Sequence, residues 1–327
     1  MERPLEIVLL LALPASGKSE VRRYMANIPA DKLMKDFHIG ETLQLDDFPY
    51  VHMMRRTDDE LDKRGGRRIF FRSGDKPFID PRDWGTLIHL LNEDYRDLMA
   101  RRTERTDSAA ELLLARIDRA AGKAGMAPRL SALAPEVRKS VAAALEKEAR
   151  AMLDEKHAAY PASFEGKTIV IEAARGGPHG SAMPLKPPFG YLYSLGQFDP
   201  EILSKASILY VWVTPEESRR KNSARTDPND PGSILHHGVP MDVMLNDYGC
   251  DDMDWLEKNS DAPGAVTVES GGKKFNIPVG RFDNRVDKTS FLRENKADWP
   301  EDKVEAVHNG IKSATDKLYS FRLAARK

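Results

Sequence analysis

The strongest constraint on this chain is local: an apolar run, Ile7–Leu11, is followed by Ala12-Leu13-Pro14-Ala15-Ser16-Gly17-Lys18-Ser19 and then by helix-compatible residues 20–26. A strand, a tight loop and a helix in that order put the loop's backbone N–H groups at a helix N-terminus, where they form a nest for an anion. In phosphate-binding loops of the Walker A type, the Lys of Gly-Lys-Ser reaches the outer phosphates and the hydroxyl ligates magnesium; Lys18 and Ser19 fit those positions. The motif's customary first Gly is Ala12 here, which the loop tolerates if that residue keeps to the β region of backbone space. A secretory signal would also show a short apolar core followed by small residues. Against it, Glu2, Arg3 and Glu6 give no basic excess before the run, and cleavage would fall inside Ser-Gly-Lys-Ser.

The chain has 327 residues, enough for one enlarged domain or two ordinary ones. Its formal charge of −1 gives no global basic field, so general nucleic-acid binding is not expected. No apolar stretch approaches the ~20 residues that cross a bilayer. The single cysteine, Cys250, excludes an intrachain disulfide framework and fits a reducing compartment, which sets a cytoplasmic expectation.

Residues 38–45 read as a strand that ends at the acidic pair Asp46-Asp47, before Phe48-Pro49-Tyr50. Ligands of open parallel sheets bind beyond the carboxyl ends of strands, so these carboxylates would share a crevice with the loop. Asp before Pro also caps helices and starts turns, and that reading stands beside the catalytic one. Residues 55–83 carry many charges, including Arg64-Gly65-Gly66-Arg67-Arg68, and read as irregular chain or a hairpin. That basic cluster suits either an anionic substrate or solvent. From Trp84 to Tyr160 the pattern is helical, with residues 109–121 and 135–157 forming a hairpin added to the core. Such a hairpin suits an acceptor-binding cap, a homodimer interface or a solvated decoration, which the sequence does not rank.

Residues 167–177 return to buried-strand character and end in charge and glycine. An acid at the end of the strand beside a phosphate loop often helps to hold magnesium, and Glu172 is placed for it, with Arg175 placed to grip a phosphate or acceptor. A further strand, residues 207–213, leads into Thr214-Pro215, a helix start, and then Arg219, Arg220, Lys221 and Arg225. This basic helix and the polar residues 227–232 suit a mobile cover over a phosphoryl group, or simply a solvated face. A last strand, residues 274–279, precedes Asp283-Asn284, and residues 301–325 form a terminal helix. His236 and His237 lack other nearby metal ligands and read as loop residues.

In order along the chain, Ala-x4-Gly-Lys-Ser, Leu45-Asp46-Asp47-Phe48-Pro49-Tyr50, the strand ending at Glu172, the Arg-rich helix and Asp283-Asn284 resemble small-molecule kinases of the phosphate-loop NTPase class, nearest the uridine kinase and phosphoribulokinase branch. Residues 45–50 look like that branch's Asp-Asp-Phe-Tyr motif with a proline inserted. The resemblance implies an α/β fold, with a parallel sheet flanked by helices. Residues 1–83 and 161–327 would form the kinase-like core, and 84–160 a helical insertion. It implies ATP and magnesium as cofactors, with Pro14, Ala15, Ser16, Gly17, Lys18, Ser19 and Asn284 at the nucleotide. Ser19 and Glu172 would serve the metal, Asp46 would accept a hydroxyl proton, and Arg219, Arg220 and Arg225 would serve the cover. Asp47, Tyr50 and Arg175 would meet the acceptor.

The expected activity is ATP-dependent phosphorylation of a hydroxyl on a small molecule, a nucleoside or sugar derivative being compatible. A polynucleotide-end kinase needs a basic groove with stacking aromatics. A nucleotide-hydrolysing switch, driven by ATP or GTP, would instead use the helical insertion to bind a protein partner.

Overall fold

The computed structural model describes residues 3–225 and 238–325, with the side chain of residue 225 excepted. The basic cover expected over 227–232, the pair His236-His237 and the side chain of Arg225 therefore lie outside the described residues.

The strands are β1 (Ile7–Leu11), β2 (Glu41–Asp46), β3 (Lys167–Ala173), β4 (Ala206–Trp212), β5 (Ala265–Ser270) and β6 (Lys273–Asp283). The helices that follow β1 and β2 are α1 (Lys18–Ala26), α2 (Ala30–Phe37), α3 (Phe48–Asp62), α4 (Asp83–Ala100), α5 (Ala109–Lys123) and α6 (Pro135–Ala158). Those after β3 are α7 (Gly190–Gly196), α8 (Pro200–Lys205), α9 (Pro215–Arg225), α10 (Met241–Asn246), α11 (Met253–Lys258) and α12 (Glu301–Ala324). They flank a six-stranded sheet of order β2-β3-β1-β4-β6-β5, in which β5 alone is antiparallel to its neighbour.

A parallel strand between two helical layers is buried on both faces and reads as a continuous apolar run. β1, Ile-Val-Leu-Leu-Leu, is buried at every position. Its Ile7, Leu9 and Leu11 join Ile171, Ile208 and Tyr210 on one face, under α4, α7 and α8. Val8 and Leu10 join Val170, Leu209 and Phe282 on the other, under α1, α2 and α12. A third apolar cluster lies among α3, α4, α5, α6 and α10. Helix α4 belongs to two of these: Trp84, Leu87 and Leu90 face the third cluster, and Ile88, Leu91, Tyr95 and Leu98 face the sheet.

The structure alters several sequence expectations. Residues 55–62, read as irregular, continue α3, because Glu60 pairs with Arg56 and Arg64 at the four-residue spacing of a helix face. Beyond them Phe71 bridges Phe78 in a short antiparallel turn-back, the hairpin alternative. Of the Arg64–Arg68 cluster, Arg64 pairs with Glu60, and Arg68 with Asp59 and Asp62, so those charges answer neighbouring carboxylates. β3 stops at Ala173, which leaves Arg175 in the following loop. β5 was not expected; it pairs with β6 across Gly271-Gly272, both in the left-handed region at φ 56° and 72°. Among the described residues no helix is long and apolar enough to cross a membrane.

The start of β2 is locked to β3 by close backbone approach. Gly40 N donates to Thr168 Oγ1 at 2.9 Å, whose hydroxyl donates in turn to Leu5 O at 2.7 Å. A Cβ on Gly40 would stand 1.9 Å from the Gly166 carbonyl oxygen. Gly40→Ala is therefore expected to destabilise the fold by about 1–3 kcal/mol, the usual cost of overpacking. Denaturant unfolding with unchanged slope checks it.

Candidate functional site

The loop after β1 takes a shape that few side chains accept. Gly17 stands at φ 106° and Ala15 at φ 55°, both left-handed, whereas Ala12 is not among the positive-φ residues. A Cβ at Gly17 would also lie 2.5 Å from Thr289 Oγ1 and 2.8 Å from Asn284 Nδ2. The loop is thus gripped from behind by residues that come much later in the chain. Asn284 donates to Ser16 O at 2.6 Å and to Thr289 Oγ1 at 3.0 Å, while its oxygen accepts from Lys288 N. From α9, Ser218 Oγ donates to Pro14 O at 2.7 Å. Within this grip Ser16 Oγ is buried without a hydrogen-bond partner.

Parallel register brings the carboxylates to the loop. Glu172 sits beside Leu10 on one side and opposite Asp46 on the other, so β1, β2 and β3 end at one edge. Arg22, one helical turn beyond Lys18, hydrogen-bonds Glu172 and lies 4.0 Å from Asp46 Oδ2. Asp46 Oδ1 accepts from Phe48 N at 2.9 Å, the turn-forming role weighed against catalysis, and its side chain keeps 34% exposure. Partial burial, with Glu172 and then Asp47 adding repulsion, pushes the Asp46 carboxyl up to about 7. Burial likewise lowers the Lys18 ammonium, against the pull of Glu172, Asp47 and Asp46.

A cavity of about 1330 Å³ opens beyond these strand ends. Its wall begins at Pro14–Ser19, passes Arg22, Asp46, Asp47 and Glu172, and continues into a chamber among α3, α4, α5 and α6. At the chamber's polar seam Asp94 accepts from Tyr50 OH at 2.5 Å and pairs with Arg116 at 2.7 Å and Lys156 at 2.8 Å. Burial alone would raise the Asp94 carboxyl, but Arg116, Lys156 and Tyr50 outweigh it and hold it below the ordinary value.

Of the expected site residues, Pro14, Ala15, Ser16, Gly17, Lys18, Ser19, Asp46, Asp47, Tyr50 and Glu172 meet at this cavity. Others go elsewhere. Arg175, buried under the wall, is held by Asp47 at 2.6 Å and Ala174 O at 2.7 Å, and stacks over Trp84. Its guanidinium therefore orders the Asp47 turn and does not line the cavity, while its Nε is buried without a hydrogen-bond partner. Asn284 braces the loop from behind and does not line the cavity. Arg219 pairs with Glu216 at 3.0 Å and Arg220 with Glu217 at 2.7 Å along their own helix, and neither enters the wall. Arg22, Asp94, Arg116 and Lys156 were not anticipated. The four-residue step from Lys18 to Arg22 was a visible signal, whereas the Asp94 cluster unites four helices and had none.

Among the described residues no group of three or more His, Cys, Asp or Glu side chains is arranged to hold a metal. The nearest donors, Ser19, Asp46 and Glu172, are oxygens, which suits magnesium, an ion often held by one or two carboxylates plus phosphates and water. A comparison of the chain with protein-family models, curated proteins and solved structures returns no match.

Two consequences are measurable. Asn284→Ala leaves Lys288 N and Ser16 O without their partner, so stability should fall by roughly 1–3 kcal/mol in denaturant unfolding. The Asp46 carboxyl binds its proton more tightly in the folded chain, so in nucleotide- and metal-free protein its contribution is lost as pH rises from about 4 through about 7. Asp46→Asn should therefore gain on the wild type across that window and stay level above it, as melting curves against pH would show.

Proposed function

We propose that this chain is an ATP- and magnesium-dependent kinase that moves the γ-phosphoryl group to a hydroxyl of a small molecule. One observation carries the reading: Lys18, Asp46 and Glu172 line one cavity at the ends of adjacent parallel strands, around a glycine-hinged loop at a helix N-terminus. The loop's N–H groups are suited to the nucleotide's phosphates, and Lys18 to the charge on the outer ones. Magnesium, when bound, would neutralise phosphate charge; Ser19 and Glu172 would hold it, with Arg22 steadying Glu172.

The acceptor hydroxyl must lose a proton as its oxygen attacks phosphorus. A base is most effective when its pKa lies near the working pH, and Asp46, pushed up to about 7, meets that condition. Asp47, fixed by Arg175, holds the turn that aims Asp46. The chamber beyond Asp46 is walled by Leu98, Leu113, Met152 and Leu153, not by a basic groove, which favours a small acceptor over a polynucleotide end.

Lys18→Ala is expected to fold normally and lose turnover. Asp46→Asn should leave ATP affinity nearly unchanged and slow single-turnover transfer by about 10²–10⁴-fold. Normal transfer by either folded variant overturns the assignment. Nucleotide hydrolysis that never transfers to an acceptor points instead to the switch.

A further inference from the structure

The wall of the chamber also bears on the kind of acceptor. Leu98 of α4, Leu113 of α5, and Ala149, Met152 and Leu153 of α6 present apolar surface to the cavity. Apolar walls with a few placed polar groups are the usual make-up of a small-molecule site. The cavity's 1330 Å³ exceeds the ~300–1,000 Å³ of a typical single-ligand pocket, leaving room for a second molecule beside a nucleotide.

The chamber's cations are already committed. Arg116 serves Asp94 at 2.7 Å and Glu93 at 3.3 Å; Lys156 serves Asp94 at 2.8 Å and Asp97 at 2.6 Å. Nearer the mouth, Arg55 lies over the Phe71 ring at 3.9 Å and donates to Gly74 O. A phosphate or carboxylate on the acceptor would have to share Arg116 or Lys156 with carboxylates that already offset their charge, which reduces what it gains. At the chamber's seam an ammonium would face the converse difficulty, because Asp94 already accepts from three donors.

Besides Ser16 Oγ in the loop and Trp84 Nε1 at the start of α4, one further polar group of the wall is buried without a hydrogen-bond partner. It is the hydroxyl of Tyr160. A buried hydroxyl of this kind is costly unless something answers it. We propose that the acceptor is an uncharged molecule with an apolar or aromatic body, carrying the reactive hydroxyl toward Asp46 and a second polar atom that pairs with Tyr160. This rests on the kinase reading and narrows it: the sugar phosphates and charged acceptors that such a loop could serve are disfavoured by this chamber.

The test uses the full chain, a non-hydrolysable ATP analogue and three probes: 3-(4-methoxyphenyl)propan-1-ol, 3-phenylpropan-1-ol and ribose 5-phosphate. Calorimetry should show the two alcohols binding alongside the analogue, the methoxy compound about five- to tenfold tighter, and ribose 5-phosphate not competing. Tyr160→Phe, which keeps the ring, should erase the difference between the alcohols. Met152→Glu should weaken both at least tenfold while analogue affinity stays within about twofold. Binding of the analogue without either alcohol, tighter binding of ribose 5-phosphate, or a methoxy preference that survives Tyr160→Phe overturns the acceptor class and leaves the kinase reading intact. Failure of the analogue to bind the wild type sinks the kinase reading, and the acceptor class with it.

Discussion

Parallel strand register brings two carboxylates together here, beside the Lys18 ammonium at the start of α1. Asp46 stands opposite Glu172, and Glu172 beside Leu10, because β1, β2 and β3 share one direction and end at one edge. Antiparallel pairing of β2 would have carried Asp46 to the far edge of the sheet. The clustering has an electrostatic cost, visible in the raised Asp46 carboxyl, and Arg22 offsets part of it from the first turns of α1. Such placement of opposed charges at a crevice is common where chemistry is done.

The loop after β1 depends on distant chain for its shape. Thr289 and Asn284 stand so close behind Gly17 that no larger residue fits without movement, and Ser218 ties down Pro14. The loop, α9 and the segment after β6 therefore form one packed unit. Under the proposed function that packing would matter, because backbone N–H groups bind an anion well only when they already point to a common centre.

Helix α4 has a comparable linking role for the chamber. One side of it packs on the sheet through Ile88, Leu91, Tyr95 and Leu98, and the other receives the cluster that holds α3, α5 and α6. Asp94, on the same helix, then joins Tyr50 of α3, Arg116 of α5 and Lys156 of α6 in a single polar knot. Paired buried charges of this type add little to stability but tie four helices to one point. The chamber's apolar walls thus keep a defined position relative to Asp46.

What the sequence by itself determined was local. The buried strands β1, β3 and β4 were legible as apolar runs, because a strand covered on both faces has no polar side. The strand–loop–helix junction was legible because its signals lie in adjacent residues. β5 also carries a period-two signal, alternating Val266 and Val268 before Gly271-Gly272, and α3 carries charges four residues apart. Tertiary structure alone decided which candidates remain free to act. Arg175 is spent on Asp47, 128 residues away, and Asn284 on the Ser16 carbonyl, 268 residues away. A side chain's chemistry is available only if its neighbours have not already used it, and those neighbours are chosen by packing between segments whose separation leaves no periodic trace in the sequence.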